Sequence, residues 1–154
     1  ISIPQEVFEL VLEHTARSLK QHGFTNILFI GDSGPNQGPQ ESVAEKLSRE
    51  WSQEGIDVFH IGDWYKIGVF DEYLISQGAN YEQIGNHAGL RDTSLLLAIA
   101  PEHVRTNKMS PGQGPDVDGV SGDPTIATAE YGQIGFDLIF NAALNQIKEL
   151  MDLE

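Results

Sequence analysis

Phe8, Val11, Leu12, Thr15 and Leu19 recur at helical spacing, with Ser2, Pro4 and Gln5 at the start and Gly23 at the end, so the pattern predicts an opening helix. Ile27-Leu28-Phe29-Ile30 follows, a short apolar run between Asn26 and Gly31 that predicts a buried strand. Helical spacing returns from about Gln40, with Val43, Ala44, Leu47 and Trp51 inward and a stop at Gly55. Val58-Phe59-His60-Ile61 then predicts a second strand. Strand, helix and strand with glycine-bounded joints make a parallel βαβ unit with a right-handed crossover, and hence an α/β domain.

The middle of the chain is less periodic. Trp64, Tyr65 and Phe70 lie in a glycine-punctuated stretch, and a short helix is expected up to Gln77. Leu95, Leu96, Leu97, Ala98 and Ile99 predict the buried body of a helix that begins near Asp92 or Thr93 and stops before Pro101. Met109 to Pro124 predicts a long loop, and Thr125 to Leu150 a C-terminal helix with Ala129, Phe136, Ile139, Phe140, Ala143 and Ile147 on one face. There is no internal repeat and no interdomain linker, so residues 1–154 are expected to form one domain.

Charge narrows the partners. Nine basic against 23 acidic side chains give a net charge of -14, which repels phosphate backbones and anionic lipid surfaces. A small-molecule substrate is therefore expected, with no nucleic acid and no membrane as partner. Zero cysteines exclude disulfides, thiolate metal sites and a cysteine nucleophile, and are compatible with a cytoplasmic or a periplasmic location. No apolar run reaches the roughly 20 residues of a membrane helix, and no targeting segment is visible. The chain opens on ISIPQEVFELV without an initiator Met, which reads as a piece of a longer precursor.

Ligands in open α/β sheets bind beyond the carboxyl ends of the strands, here Gly31–Gln37 and Gly62–Tyr65. Trp64 and Tyr65 are as compatible with packing as with a pocket wall. Gly31-Asp32-Ser33 resembles the opening motif of the Gly-Asp-Ser-Leu esterases, whose Ser is a nucleophile served by a distant Asp-x-x-His. The same spacing occurs only at Asp57 and His60, inside the second strand, so a tight turn of small polar residues is the preferred reading. His14, His22, His60 and His103 lack close companions at ligand spacing and are read as structural or surface residues.

GNHAGLRDTS, Gly85 to Ser94, concentrates more chemistry. Ala88 and Gly89 let the backbone pass close to a ligand, while Asp92, Thr93 and Ser94 can cap a helix. A carboxylate near the His87 imidazole can orient it as a base or complete a metal site. Asp123 before Pro124 reads as another helix cap.

Three segments in order resemble the creatininase (creatinine amidohydrolase) family, over nearly the whole chain. ILFIGDSGPNQ stands where that family has a strand running into Asn-Gly-His-Gly-Gly-Asn. GNHAGLRDTSLLLAIAPEHVR is similar to its Gly-x-His-Ala-Gly-x-x-Glu-Thr-Ser segment, and GVSGDPTIATAEYG to its Gly-Val-x-Gly-Asp-Pro turn. The resemblance implies a three-layer α/β fold, with a mostly parallel central sheet flanked by helices. It also implies a two-metal centre that hydrolyses cyclic or linear amides, and homo-oligomers, often hexamers. By position, His87 corresponds to the family histidine near substrate and attacking water, and Asp92 to the Glu at or near the metals. The resemblance therefore implies His87 and Asp92 as catalytic residues, Asp92 as a metal ligand, and Asp32, Ser33, Asn36 and Asn86 on the substrate side, where the strand-end aromatics Trp64 and Tyr65 are expected to join them.

The departures are equally specific. Ser33 replaces the metal-binding His of the first motif, and a neutral hydroxyl is a poor transition-metal ligand. Asp92 is a methylene shorter than the family Glu, and the family's leading Glu-x-His and Asp ligands have no counterpart here. Three readings follow, in order of preference. The first is a creatininase-type amidohydrolase that uses zinc or manganese when intact, with further ligands upstream of Ile1. The second is a divergent, non-catalytic relative whose altered GDSGPN loop binds a small molecule, or one metal, without the standard chemistry. The third is a serine esterase using Ser33.

Overall fold

The computed structural model describes residues 3–153. They divide into two compact units, one holding the residues up to Tyr65 and from Ala142 onward, the other Lys66–Asn141.

In the first unit α1 (Gln5–Gln21) leads into β1 (Asn26–Phe29), α2 (Gly34–Trp51) and β2 (Asp57–His60), with one 3-10 turn before β2 and another after it. The strands pair in parallel, Ile27 opposite Val58 and Phe29 opposite His60, as the βαβ pattern requires. Helix α2 packs on β2, and α1 packs against α2. Ala16, Ile27, Phe29, Val43, Ala44, Leu47, Trp51 and Val58 form the core, with Leu12, Leu19 and Ile56 packed against it. Full burial of a side chain such as Leu47 contributes about 1.5–3 kcal/mol. Trp51 also carries the Lys20 ammonium 4.6 Å and the Arg17 guanidinium 5.5 Å from its ring centroid, while Arg17 forks onto both Glu50 oxygens at 2.7 Å. That fork lowers the Glu50 carboxyl to about 2.

The two edges of this sheet differ. Asp57 N–H donates to Thr25 C=O and Ile61 N–H to Phe29 C=O, so the ladder turns Val58 and His60 outward from β2, and Asn26 and Leu28 outward from β1. On the β2 side the Ser48 hydroxyl donates to Val58 C=O at 2.7 Å and accepts from Val58 N–H at 2.8 Å. Gln146 Nε2 donates to His60 C=O at 3.2 Å. No described residue serves the outward backbone groups of Asn26 and Leu28.

The second unit contains α3 (Gly68–Ser76), α4 (Tyr81–Ile84), α5 (Leu90–Ile99), three single 3-10 turns and most of α6 (Ala129–Leu150). Asn80 and Gln83 close a reciprocal capping box on α4. Where α5 meets α6, a Cβ on Gly132 would lie 1.8 Å from Ser94 C=O, so the glycine permits backbone contact between the helices.

Several expectations need correction. Helix α2 starts at Gly34 rather than near Gln40, because Pro35 sits in a first turn that needs no amide donor and Ser33 precedes it in extended conformation. Helix α5 starts at Leu90, and it buries Leu90, Arg91, Thr93 and Ser94, whereas Leu96 is 42% and Ile99 62% exposed. Val11 is exposed, as are Thr15, Ala129 and Phe140, so the buried stripes are narrower than drawn. Asp123 does cap a turn, accepting from Thr125 N–H at 2.9 Å, but that turn is the 3-10 segment Pro124–Ile126 ahead of α6. The loop from 109 to 124 is pinned by a Gly114–Val120 bridge. Ser2, expected near the start of α1, lies outside the described residues.

Candidate functional site

In the second unit the segments GNHAG and GVSGDP are joined backbone to backbone. Ser121 N–H donates to His87 C=O at 2.8 Å, and His87 N–H donates back to Ser121 C=O at 3.4 Å. The glycines explain how two loops come this close. A Cβ on Gly85 would lie 1.6 Å from Ser121 C=O, and one on Gly89 2.3 Å from Ile84 C=O. One on Gly122 would lie 2.9 Å from the Gly89 Cα. Asp123 N–H adds a bond to Gln83 C=O at 2.8 Å. This packed backbone presents Asn86 and His87 outward, both exposed, with side chains that make no hydrogen bond among the described residues.

Ala88 turns the chain from this pair into α5 through a left-handed φ of 50°. For a residue with a Cβ that conformation costs about 1–2 kcal/mol and needs support. Asp92 Oδ2 accepts from Ala88 N–H at 3.0 Å, and the Thr93 hydroxyl donates to Ala88 C=O at 3.0 Å. The carboxylate thus holds the backbone of the turn; no hydrogen bond joins it to the His87 ring. Its other oxygen, Oδ1, accepts from Arg91 Nε at 3.3 Å.

Arg91 is the residue that pattern reading passed over. It is 5% exposed, and its Nη1 donates to both Asp71 oxygens at 2.8 and 2.9 Å. Burial alone would lower its pKa, but the Asp71 and Asp92 carboxylates outweigh burial and raise it. A cation between Leu90 and Thr93 on a buried helix start was the available signal, since such a charge must find a partner.

Asp32, Ser33, Asn36, Trp64 and Tyr65 belong to the first unit, Asn86, His87 and Asp92 to the second. Asp32 is exposed, and Ser33, Asn36, Trp64 and Tyr65 are half-buried. The two strand-end loops adjoin as expected: a Cβ on Gly34 would lie 3.2 Å from the Tyr65 hydroxyl oxygen. Gln37 braces the first of these loops, donating through Nε2 to Gly31 C=O at 2.9 Å and Ser33 C=O at 3.0 Å. Its Oε1 meets His60 Nε2 at 2.9 Å, so the ring donates from Nε2. Burial lowers the His60 pKa, against a smaller opposite effect of Glu41. The Ser33 hydroxyl has no hydrogen bond among the described residues, and the His60 imidazole pairs through Nε2 with Gln37. A groove of about 520 Å³ runs along the outer side of β2, with Glu41, Ser48, His60, Asp63 and Gln146 in its walls. Asp32, Ser33, Asn36, Trp64 and Tyr65 do not line it, although Gly62 and Asp63 of the second strand-end loop do.

The residues present do not fit a two-metal centre by themselves. Both Asp92 oxygens already accept hydrogen bonds, and no three His, Asp, Glu or Cys side chains gather at metal distance among the described residues. No helix among them is long and apolar enough to cross a membrane.

Three solved creatininases have similar structures: a manganese form, a variant of the Zn–Zn type and a variant complexed with creatine. Each is 20% identical, with a TM-score of 0.71 over 97% of this chain, and the match covers 65–66% of the solved chains. The chain thus spans slightly less than two thirds of their length, and at this identity the likeness establishes the fold, an α/β arrangement with parallel strands. No curated protein matches the sequence. The creatininase model, described as creatinine amidohydrolase, matches residues 1–147, and on that match the chain belongs to the creatininase family.

Proposed function

We propose that these residues form the substrate-facing part of a creatininase-type amidohydrolase, which directs water onto the carbon–nitrogen bond of a small cyclic or linear amide. The observation that carries this reading is the loop pair itself: a glycine-packed backbone holds Asn86 and His87 exposed and unpaired. Rigid backbone with free polar side chains suits binding and proton transfer, because little order is lost when a ligand arrives. A neutral imidazole can take a proton from the attacking water and return it to the leaving nitrogen. The Asn86 amide can donate to a carbonyl and accept from an N–H. The acidic surface, at a net charge of -14, favours neutral or cationic substrates over anionic ones.

The manganese and Zn–Zn forms of solved family members support a divalent metal in the intact enzyme, with ligands beyond those described here. Such a metal would polarise the substrate carbonyl. Within this chain Asp92 serves the turn, and no step is assigned to it as a ligand. That engagement favours one second reading, a non-catalytic family member that binds a small molecule on the same loops. We further propose a homo-oligomer, checked by light scattering.

Elemental analysis of the intact parent protein, with an amidase assay before and after chelator, decides between the readings. Bound zinc or manganese and a chelator-sensitive activity lost in His87→Asn support the hydrolase. A metal-free protein indifferent to chelator and without amidase activity overturns it in favour of the binding protein.

A further inference from the structure

We propose that Arg91, anchored by Asp71, is a positioning residue for the His87 turn. It rests on the proposed function only in taking His87 as the side chain offered to substrate; the mechanical claim stands on the second unit alone. Three contacts run in series and end on the turn. Asp71 receives Arg91 Nη1 on both oxygens, Arg91 Nε reaches Asp92 Oδ1, Asp92 Oδ2 receives Ala88 N–H, and Ala88 carries the left-handed turn beside His87.

Each link has a reason to matter. Ala88 is one of only two non-glycine residues with positive φ among the described residues, so its conformation must be held by its surroundings. Asp92 provides that hold, yet its side chain is 42% exposed and water competes for it. Arg91 does not suffer this competition, with a side chain only 6% exposed. It therefore fixes a half-exposed carboxylate from the buried side. The guanidinium is suited to the task because it is planar and branched: one nitrogen engages Asp71 while another engages Asp92. A lysine supplies one charged nitrogen and cannot bridge both carboxylates in this way.

The test compares wild type with Arg91→Met and Arg91→Lys by amide hydrogen exchange and nitrogen-15 NMR, with thermal unfolding alongside. The Ala88 amide is the reporter and the Ala98 amide, in the body of α5, is the reference. Positioning predicts that Ala88 exchange quickens about tenfold in Arg91→Met relative to Ala98, the protection of roughly one hydrogen bond. In Arg91→Lys the Ala88 amide is also predicted to quicken, even where the melting temperature is retained. A merely structural arginine would change both amides together. If Arg91→Met does not fold, Arg91→Lys decides, with Asp71→Asn as a third variant that keeps the arginine and weakens its anchor. Ala88 exchange and chemical shift unchanged in folded variants, or moving only in step with Ala98, would overturn the proposal. The readout needs no substrate, so loss of the amidohydrolase reading would leave it intact.

Discussion

His87 and Ser121 exchange both backbone hydrogen bonds, 2.8 Å in one direction and 3.4 Å in the other, although 34 positions separate them in the chain. This two-way bond fastens the histidine turn to the loop ahead of α6. It is possible only because glycines stand where any side chain would force the backbones apart.

Gly85 is the most demanding of these positions, with a φ of 67° and Ser121 C=O 1.6 Å from where a Cβ would stand. Gly85→Ala is expected to destabilise the protein by about 3 kcal/mol or more, since backbone must move to admit the methyl. Gly114→Ala is the control: its φ is 115°, but no heavy atom lies within 4 Å, so only conformational strain of about 1–2 kcal/mol is expected. Urea denaturation of the two variants measures the difference.

Ser48 satisfies both outward backbone groups of Val58 with one hydroxyl. Ser48→Ala should cost about 1–3 kcal/mol, because the partly buried donor and acceptor lose their partner together. Ser48→Thr keeps the hydroxyl and should recover part of that loss. Denaturant midpoints and the exchange rate of the Val58 amide report the effect.

His60 should make the folded state sensitive to mild acid. Its folded pKa lies below the ordinary 6.5, chiefly through burial, so below that value the unfolded chain binds the proton more readily than the folded one. Stability is therefore full above the unfolded pKa and falls with pH from about 6.5 toward the depressed folded value. His60→Gln, which removes the titration, should flatten the dependence of melting temperature on pH across that window. An unchanged slope would mean that other groups cause it.

The two ends of α5 should respond oppositely to substitution. Leu90 is 1% exposed, and Leu90→Ala should cost about 2–5 kcal/mol. Ile99 is 62% exposed, and Ile99→Lys should stay within about 0.5 kcal/mol of wild type. Thermal melts of both variants test the placement of the buried end.

That contrast marks how far sequence reasoning reached. The βαβ unit was legible because Ile27, Phe29, Val43, Leu47 and Val58 are apolar at the period of their own elements. The start of α2 was not, since Gly34 and Pro35 are poor helix residues that a first turn tolerates, and Pro39 lies inside the helix, where propensity argues against one. In α5 the apolar run Leu95–Ile99 suggested deep burial, yet the buried positions include Arg91, whose charge Asp71 offsets, and Ser94, whose backbone Gly132 approaches closely. Neither position can be ranked by hydrophobicity, because a partner distant in sequence makes its burial tolerable. For the candidate site, the motif order pointed to the GNHAG and GVSGDP segments, which the backbone does join. It gave no sign that Asp92 would bond Ala88 rather than the imidazole, which depends on a left-handed turn.

The hydroxyl of Ser48 also gives the small parallel sheet a polarity. By occupying the outward N–H and C=O of Val58, it leaves an approaching strand nothing to bond there, whereas Asn26 and Leu28 still offer theirs. A segment that extends this sheet therefore meets less competition beside β1. Fusions or permutants meant to enlarge the domain belong on that side, and Ser48→Ala would be the substitution that opens the other.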